Sequence, residues 1–327
     1  MNKVLITGGA GFIGYHLGKH LKQFFKVDLL DNFSRGIKDS HLQDIIDDNT
    51  KIIDMDLLNF NKLFTLNSEY TYIFHLAAIV GVKNVILSPY KVLQNNYLLT
   101  NNIIEFAKKQ KKLKRFVFAS TSEVYASTLK NFGIIFPTKE KTPLSCGDPK
   151  EIRNTYALSK IYGEASCFHS GLPITIVRPH NFYGPRMGLS HVIPELIKKI
   201  YSTEEDNIDI YSANHQRTFL YIDDAIKIIS GLAQSDKTLG EIFNIGDQKR
   251  EISIIDLSKI IIKILKKDII PNPLEDINDS PTRRCPSMEK TNKLINIQDT
   301  VSLELGIKKC YEWFIKNTIE SKINNSE

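Results

Sequence analysis

The residue pattern predicts an α/β protein built on a doubly wound parallel sheet, with a smaller, interleaved C-terminal domain. Three observations carry this reading. Short, continuously apolar, β-branched runs alternate with helix-length segments through the first half of the chain, which implies right-handed crossovers and strands buried on both faces. A glycine-rich turn follows the first of those runs and opens the first helix. The composition is ordinarily globular, 42% hydrophobic and 24% charged in 327 residues, enough to bury a large core.

Taken in order, Val4–Thr7 reads as a buried strand, followed by the glycine turn and a helix reaching Gln23. Val27–Leu30, Ile52–Asp54, Tyr72–Ala77, Phe116–Ser120 and Ile174–Val177 are the next five strands. Tyr90–Lys109 is long enough for a helix between the fourth and fifth. After Arg178 the pattern is punctuated by Pro179, Gly184, Pro185, Gly188 and Pro194. Helices at Glu195–Tyr201 and Phe219–Gln234 and a strand at Glu241–Ile245 follow. Ile252–Ile270 is apolar but interrupted by Asp256, Lys259, Lys263 and Lys266, which marks an amphipathic helix and not a membrane span. Prolines 271, 273, 281 and 286 mark a loop region before a last helix near Leu303–Lys316, and the polar Glu320–Glu327 is expected to fray. Residues 1–178 are therefore expected to bind a cofactor, with part of 209–247 returning to the same domain. Residues 179–327 are expected to supply mainly the substrate domain.

Charge and cysteines narrow the function classes. Lys and Arg number 43 against 37 Asp and Glu, a net +6 spread without a long basic block, which suits an anionic small ligand and argues against nucleic acid. Cys146, Cys167, Cys285 and Cys310 are far apart, with no C-x-x-C and no spaced histidine, so neither a disulfide framework nor a metal is expected. The N-terminus runs directly into a core strand without a signal-peptide pattern, so the expected location is the cytoplasm and no membrane partner is foreseen.

Thr7-Gly8-Gly9-Ala10-Gly11-Phe12-Ile13-Gly14 places glycines at 8, 11 and 14 between a strand and a helix. Gly8 permits the tight turn, Gly11 a close backbone approach to a pyrophosphate, and Gly14 close helix–strand contact. The helix N-terminus adds amide donors and a positive dipole end. Asp31, just after the second strand, can accept hydrogen bonds from both ribose hydroxyls and would repel a 2′-phosphate, which favours NAD over NADP. Arg35 nearby keeps NADP open at this stage. In Tyr156-Ala157-Leu158-Ser159-Lys160 a phenol and an ammonium share one helix face at i and i+4. A free tyrosine ionises near pH ~10; an adjacent cation and a positive nicotinamide ring would bring it towards neutrality as a base. Ser120-Thr121-Ser122-Glu123-Val124-Tyr125 follows the fifth strand, at the carboxyl edge where open sheets bind ligands, and a hydroxyl there can relay a proton.

At this point the chain resembles, over nearly its whole length, the extended short-chain dehydrogenase/reductases that modify nucleotide sugars, a Rossmann-type family. The match includes Thr7–Gly14, Asp31, Asp54-Met55-Asp56, His75-Leu76-Ala77-Ala78, Thr121–Tyr125, Tyr156 with Lys160, Arg178-Pro179-His180-Asn181-Phe182-Tyr183-Gly184-Pro185-Arg186, and Arg217–Asp224. The resemblance implies an NAD site made of Gly8, Gly11, Phe12, Ile13, Gly14, Asp31, Asn32, Asp56, Leu57, Leu76, Ala77 and Ala78, with Tyr156 and Lys160. It implies Thr121, Tyr156 and Lys160 as the catalytic set, with Ser122, Asn181, Arg186, Arg217 and Arg284 on a nucleotide-sugar substrate. Arg217 would hold the diphosphate through its guanidinium fork. A homodimer built on paired helices, one carrying Tyr156, is also implied. Members of the family open with C4 oxidation of the sugar, and rotation with hydride return, loss of water or loss of CO₂ then decides the product.

Two features favour the last branch, and Glu123, which fits a dehydratase as well, argues against simple epimerisation. Glu123 adds an acid beside the catalytic set that a simple 4-epimerase does not need, although it could instead cap the following turn. Arg153-x-x-Tyr156-x-x-x-Lys160 is similar to the UDP-glucuronate decarboxylases. Thr282-Arg283-Arg284-Cys285-Pro286-Ser287-Met288 is similar to their Arg-x-Pro-Ser-Ile stretch, with Arg284 at the position of the substrate arginine. Ser122 departs from the Asp-Glu pair of the dTDP-glucose dehydratases. The expected activity is UDP-glucuronate decarboxylation, with 4-epimerisation second and 4,6-dehydration third. An NAD-sensing protein without turnover is the non-enzyme alternative, against which the intact Thr121, Tyr156 and Lys160 stand.

Overall fold

A computed structural model describes residues 2–66, 69–275, 281–295 and 299–319; Glu320–Glu327, expected to fray, lies outside them. Seven strands form one sheet: β1 (Lys3–Thr7), β2 (Lys26–Asp31), β3 (Thr50–Asp54), β4 (Tyr72–His75), β5 (Arg115–Ala119), β6 (Ile174–Pro179) and β7 (Glu241–Ile245). Their order is β7-β6-β5-β4-β1-β2-β3, parallel throughout. This is the expected doubly wound α/β architecture.

The strands are apolar on both faces because both faces are covered. In β5 every residue is buried: Phe116 and Phe118 point into one hydrophobic cluster, while Val117 and Ala119 point into the other, as the pleat requires. On the first side lie α3 (Pro89–Lys108) and α4 (Asn154–Phe168), which contribute Ile103, Phe106 and Cys167. On the other lie α1 (Phe12–Leu21) and α6 (Ile222–Gln234), with Leu17, Leu21, Ile226 and Ile229. Pro89 opens α3 at the first helical turn, where its missing N–H leaves nothing unpaired.

After β6 the chain leaves the sheet to begin a second body, returns as β7, and then completes that body. That body packs α5 (Val192–Ser202), α7 (Ile254–Leu265) and α8 (Leu303–Phe314) around short strands, Gln216–Thr218 lying between Glu251–Ser253 and Arg283–Arg284. Three elements differ from the expectation. The apolar run 252–270 is a helix only from Ile254 to Leu265; Lys266 adopts a left-handed conformation (φ +53°) that ends it, and Ile270–Pro273 pairs in parallel with Asn207–Ile210. The helix expected from Phe219 begins at Ile222, because Leu220–Tyr221 pairs with Phe182–Tyr183. β4 stops at His75, and Leu76–Ala78 continue as irregular backbone.

The sheet order reverses between β1 and β4, so their carboxyl ends open a crevice. Thr7 Oγ1 and His75 Nδ1 lie 2.8 Å apart across it, and the Ala77 amide donates to the same hydroxyl at 3.3 Å.

Candidate active site

The glycine turn closes the crevice floor. Gly8 has φ +71°, and a Cβ there would stand 2.9 Å from the Ala77 nitrogen; a Cβ on Gly14 would run into the Gly8 carbonyl. The backbone is therefore drawn close enough to β4 and to α1 that only hydrogen fits. Gly11 caps α1 without any side-chain acceptor, which leaves the first-turn amides at Phe12 and Ile13 facing the crevice with the positive dipole end. Asp31 is nearly buried; its two oxygens accept from the Ala10 amide at 3.0 Å and the Phe33 amide at 2.8 Å. Burial holds its pKa above the usual carboxylate range against those two bonds. Asn32 donates to Asp56 at 3.1 Å, tying the loops after β2 and β3 together. A glycine cradle too tight for a Cβ, an uncapped helix start and a paired carboxylate fit a dinucleotide. Leu57 is the exception among the expected contacts: its side chain is buried in the α3-side cluster and its carbonyl accepts from Asn102 at 2.8 Å.

Beside the cradle, Thr121 lies two residues past the end of β5, and its hydroxyl accepts from the Glu123 amide at 3.2 Å, capping the turn Ser122–Tyr125. Tyr156, in the first turn of α4, is hydrogen-bonded to Thr121. The phenol stands well above its ordinary pKa, raised by burial and then by the Glu123 charge, and opposed by Thr121 and by Arg35. The expected lowering by Lys160 is not what this structure shows. Lys160 does share the helix face, but it is 4% exposed and its Nζ donates to the Ala119 carbonyl at 2.7 Å, 4.8 Å over the Phe118 ring. Burial brings this ammonium down to about 8. The cation that bears on Tyr156 is Arg35, whose Nη1 crosses the cleft to donate to Val80 O at 3.2 Å.

The far wall brings two expected residues together. Arg284 and Glu123 form an ion pair at 2.7 Å, both partly open to the cleft. Ser122, Thr138, His180 and Arg284 line one hollow next to it. His180 is buried and uncharged, pushed down to about 3 mainly by burial; its Nε2 faces Asn244 Oδ1 at 3.3 Å. Asn181 adopts φ +42° and donates to Thr218 O at 3.0 Å. Arg283, next to Arg284, pairs instead with Glu251.

Two arginines expected at the substrate have partners within the protein. Arg186 is buried under the cradle, ion-paired with Asp39 at 2.8 Å and donating to Ala10 O and Ile37 O. The local sequence could not reveal a partner 147 positions away. Arg217 donates to the carbonyls of Pro281 at 2.6 Å and Thr282 at 3.2 Å, because its strand pairs with Arg283–Arg284. Sequence reasoning missed one further group. Glu164 on α4 binds Arg178 through both oxygens at 2.8 and 2.6 Å and accepts from Ser120 at 2.5 Å, fixing the helix that carries Tyr156 to the end of β6. Its signal was the spacing of four from Lys160.

Among the described residues, no group of three His, Cys, Asp or Glu is placed to hold a metal ion, and no helix is long and apolar enough to cross a membrane. A family model described as "NAD dependent epimerase/dehydratase family" matches residues 4–246. A UDP-N-acetyl-alpha-D-glucosaminuronate decarboxylase of Bacillus cytotoxicus is 34% identical over 329 residues, covering 95% of this chain and 97% of that protein. A UDP-glucuronate 4-epimerase of Thermodesulfobacterium geofontis is 33% identical and covers 97% of each. Among solved structures, a UDP-glucuronic acid 4-epimerase from Bacillus cereus, in complex with UDP-glucuronic acid and NAD, is similar with a TM-score of 0.80. It is 29% identical over 96% of this chain and 99% of that one.

Proposed function

The chain belongs to the NAD dependent epimerase/dehydratase family, and from that premise we propose that it decarboxylates a UDP-linked uronic acid through a 4-keto intermediate. It is an enzyme, and its cofactor is NAD. In the proposed complex Gly8, Gly11 and Gly14 with the Phe12 and Ile13 amides take the pyrophosphate, and Asp31 takes a ribose. Asn32, Asp56 and the Leu57 backbone lie on the adenine side, and Leu76–Ala78 line the opposite wall. Bound NAD supplies the hydride acceptor for C4.

The observation that carries the reaction assignment is the Glu123–Arg284 pair, 2.7 Å across and close enough to Tyr156 to raise its pKa. A guanidinium already holding one carboxylate at the reacting end of the cleft can exchange it for the C6 carboxylate of a uronate, with the same fork geometry. Tyr156 would accept the C4 hydroxyl proton, with Thr121 as relay, once the burial that holds its own proton is offset by Arg35, Thr121 and the positive nicotinamide ring of bound NAD. Oxidation at C4 makes the uronate a β-keto acid, from which CO₂ leaves. Glu123, protonated once Arg284 has turned to the substrate carboxylate, would return a proton to C5, and C4 would take its hydride back, so that no net oxidation results. Ser122 and Asn181 face the sugar, and Arg217 exchanges the Pro281 and Thr282 carbonyls for diphosphate oxygens. The similarity to a uronate decarboxylase at 34% identity supports the same choice. Residues 1–178, with part of 209–247, serve the cofactor, and 179–327 serve mainly the substrate. We further assign the enzyme to the cytoplasm, in keeping with four free thiols, and a homodimeric state through α3 and α4.

The test supplies NAD and offers UDP-glucuronate, UDP-N-acetylglucosaminuronate and UDP-glucose in turn, with product masses followed over time. Loss of CO₂ from a uronate, abolished in Tyr156→Phe and in Arg284→Met, is the expected result. Unchanged mass with inverted C4 replaces the assignment by 4-epimerisation, and loss of water by dehydration.

A further inference from the structure

The dinucleotide cradle consists of one loop after β1 and one after β2, and a third segment holds both. Arg186, from the stretch after β6, reaches beneath them. Its Nη1 donates to Ala10 O at 2.9 Å, its Nη2 to Ile37 O at 2.8 Å, and Nε and Nη2 grip the two oxygens of Asp39 at 2.8 and 3.2 Å. The guanidinium lies 4.6 Å over the Tyr15 ring, and the residue is 4% exposed.

The first of these contacts leads to ligand-facing groups, and the others brace the loop after β2. Ala10 gives its carbonyl to Arg186 and its amide to Asp31, so the turn that bears Gly11 is fixed from both sides. Asp39 also caps the short helix α2 (Ser40–Asp44), accepting from the Leu42 amide at 2.8 Å. The backbone of Arg186 is left-handed (φ +67°), a conformation disfavoured for any residue with a side chain. The segment holding it is fastened twice more. His16 on α1 hydrogen-bonds Pro185 O at 3.0 Å, and Asn181, at the segment's start, donates to Thr218 O beside Arg217. The stretch 181–186 thus runs from the substrate side to the underside of the cofactor loops. A planar five-donor fork suits a task that a lysine cannot perform, since three acceptors from two loops must be held in one plane.

We propose that Arg186 is a positioning residue that couples the two ligands: it sets the cofactor loops from the substrate side, so that filling the nucleotide site tightens NAD, and the reverse. The second ligand rests on the nucleotide-sugar reading above; the first does not. Linkage makes the effect reciprocal.

Calorimetric titration of NAD, with and without saturating UDP, tests this in the wild-type protein and in Arg186→Met, Arg186→Lys and Asp39→Asn. The chain's single tryptophan, Trp313, offers a parallel readout: its ring lies 6.0 Å from that of His41, two positions past Asp39. UDP is expected to tighten NAD in the wild type by about fivefold or more. Arg186→Met is expected to lose on the order of tenfold in NAD affinity. Its affinities with and without UDP should agree to within about twofold. Arg186→Lys should recover part of the affinity and none of the coupling. Asp39→Asn, which weakens the same grip from its more exposed side, gives the answer should Arg186→Met fail to fold. A folded variant that keeps wild-type coupling overturns the proposal. UDP binding that leaves wild-type NAD affinity unchanged also overturns it, whereas wild-type protein that binds no UDP overturns the nucleotide-sugar reading and the coupling together.

Discussion

Lys160 sits 4% exposed with its ammonium brought down to about 8, below the ~10.4 of a free lysine. It is therefore charged below pH 8 and neutral above. A dinucleotide carrying two phosphate charges and ribose acceptors favours the charged form, so NAD affinity should be greatest below pH 8 and decline as pH rises through it. Binding titrations across that range check this, with Lys160→Met expected to give a flat profile; a flat wild-type profile refutes the assignment. The same residue shows what the sequence could convey. The spacing of Tyr156 and Lys160 on one helix face and the positions of Thr121 and Glu123 after the fifth strand are local facts and were legible; that Thr121, and not Glu123, caps the turn was not. The acceptor of Lys160 on β5, the Asp39 partner of Arg186 and the carbonyl partners of Arg217 depend on contacts across 41, 147 and 64 or 65 positions, which no local pattern encodes.

At the level of elements, the strands of the sheet were readable because burial on both faces leaves continuous apolar runs, and Glu241–Ile245 was placed at both its ends. The short pairings were not, since Leu220–Tyr221 and Arg283–Arg284 are only two residues long and exist through their partners. The turn from β1 into α1 is the element whose geometry is least forgiving. In Gly14→Ala the new methyl meets the Gly8 carbonyl and, at 2.8 Å, the Gly9 Cα, all backbone that cannot step aside. Overpacking of this kind costs about 1–3 kcal/mol of stability, and the displaced loop should lower NAD affinity further. Gly188→Ala, whose nearest contact is His191 at 3.9 Å, should change neither. Thermal melting and NAD titration of the pair check both halves.

At the scale of the whole molecule, α3 and α4 together expose a group of large apolar side chains. Tyr90 is 70% exposed and Tyr97 40%, with Leu93, Leu98 and Tyr162 beside them, and the Tyr97 and Tyr162 rings meet at 4.5 Å, tilted by 42°. A second copy of this chain is the occupant that the homodimer assignment gives this face. Sedimentation should find twice the chain mass at micromolar protein, and the double substitution Leu93→Glu with Tyr97→Glu should halve it while leaving the circular dichroism spectrum unchanged. A wild-type monomer removes the dimer from the assignment. The path of the backbone carries a last implication. Because β7 is laid against β6 only after the chain has passed through the first part of the second body, a fragment cut at Gly240 would leave Ile174, Ile176 and Val177 on a bare, greasy border. Neither half can be traded as a cassette, and a ribosome must finish nearly three quarters of the protein before the first half has its final neighbour.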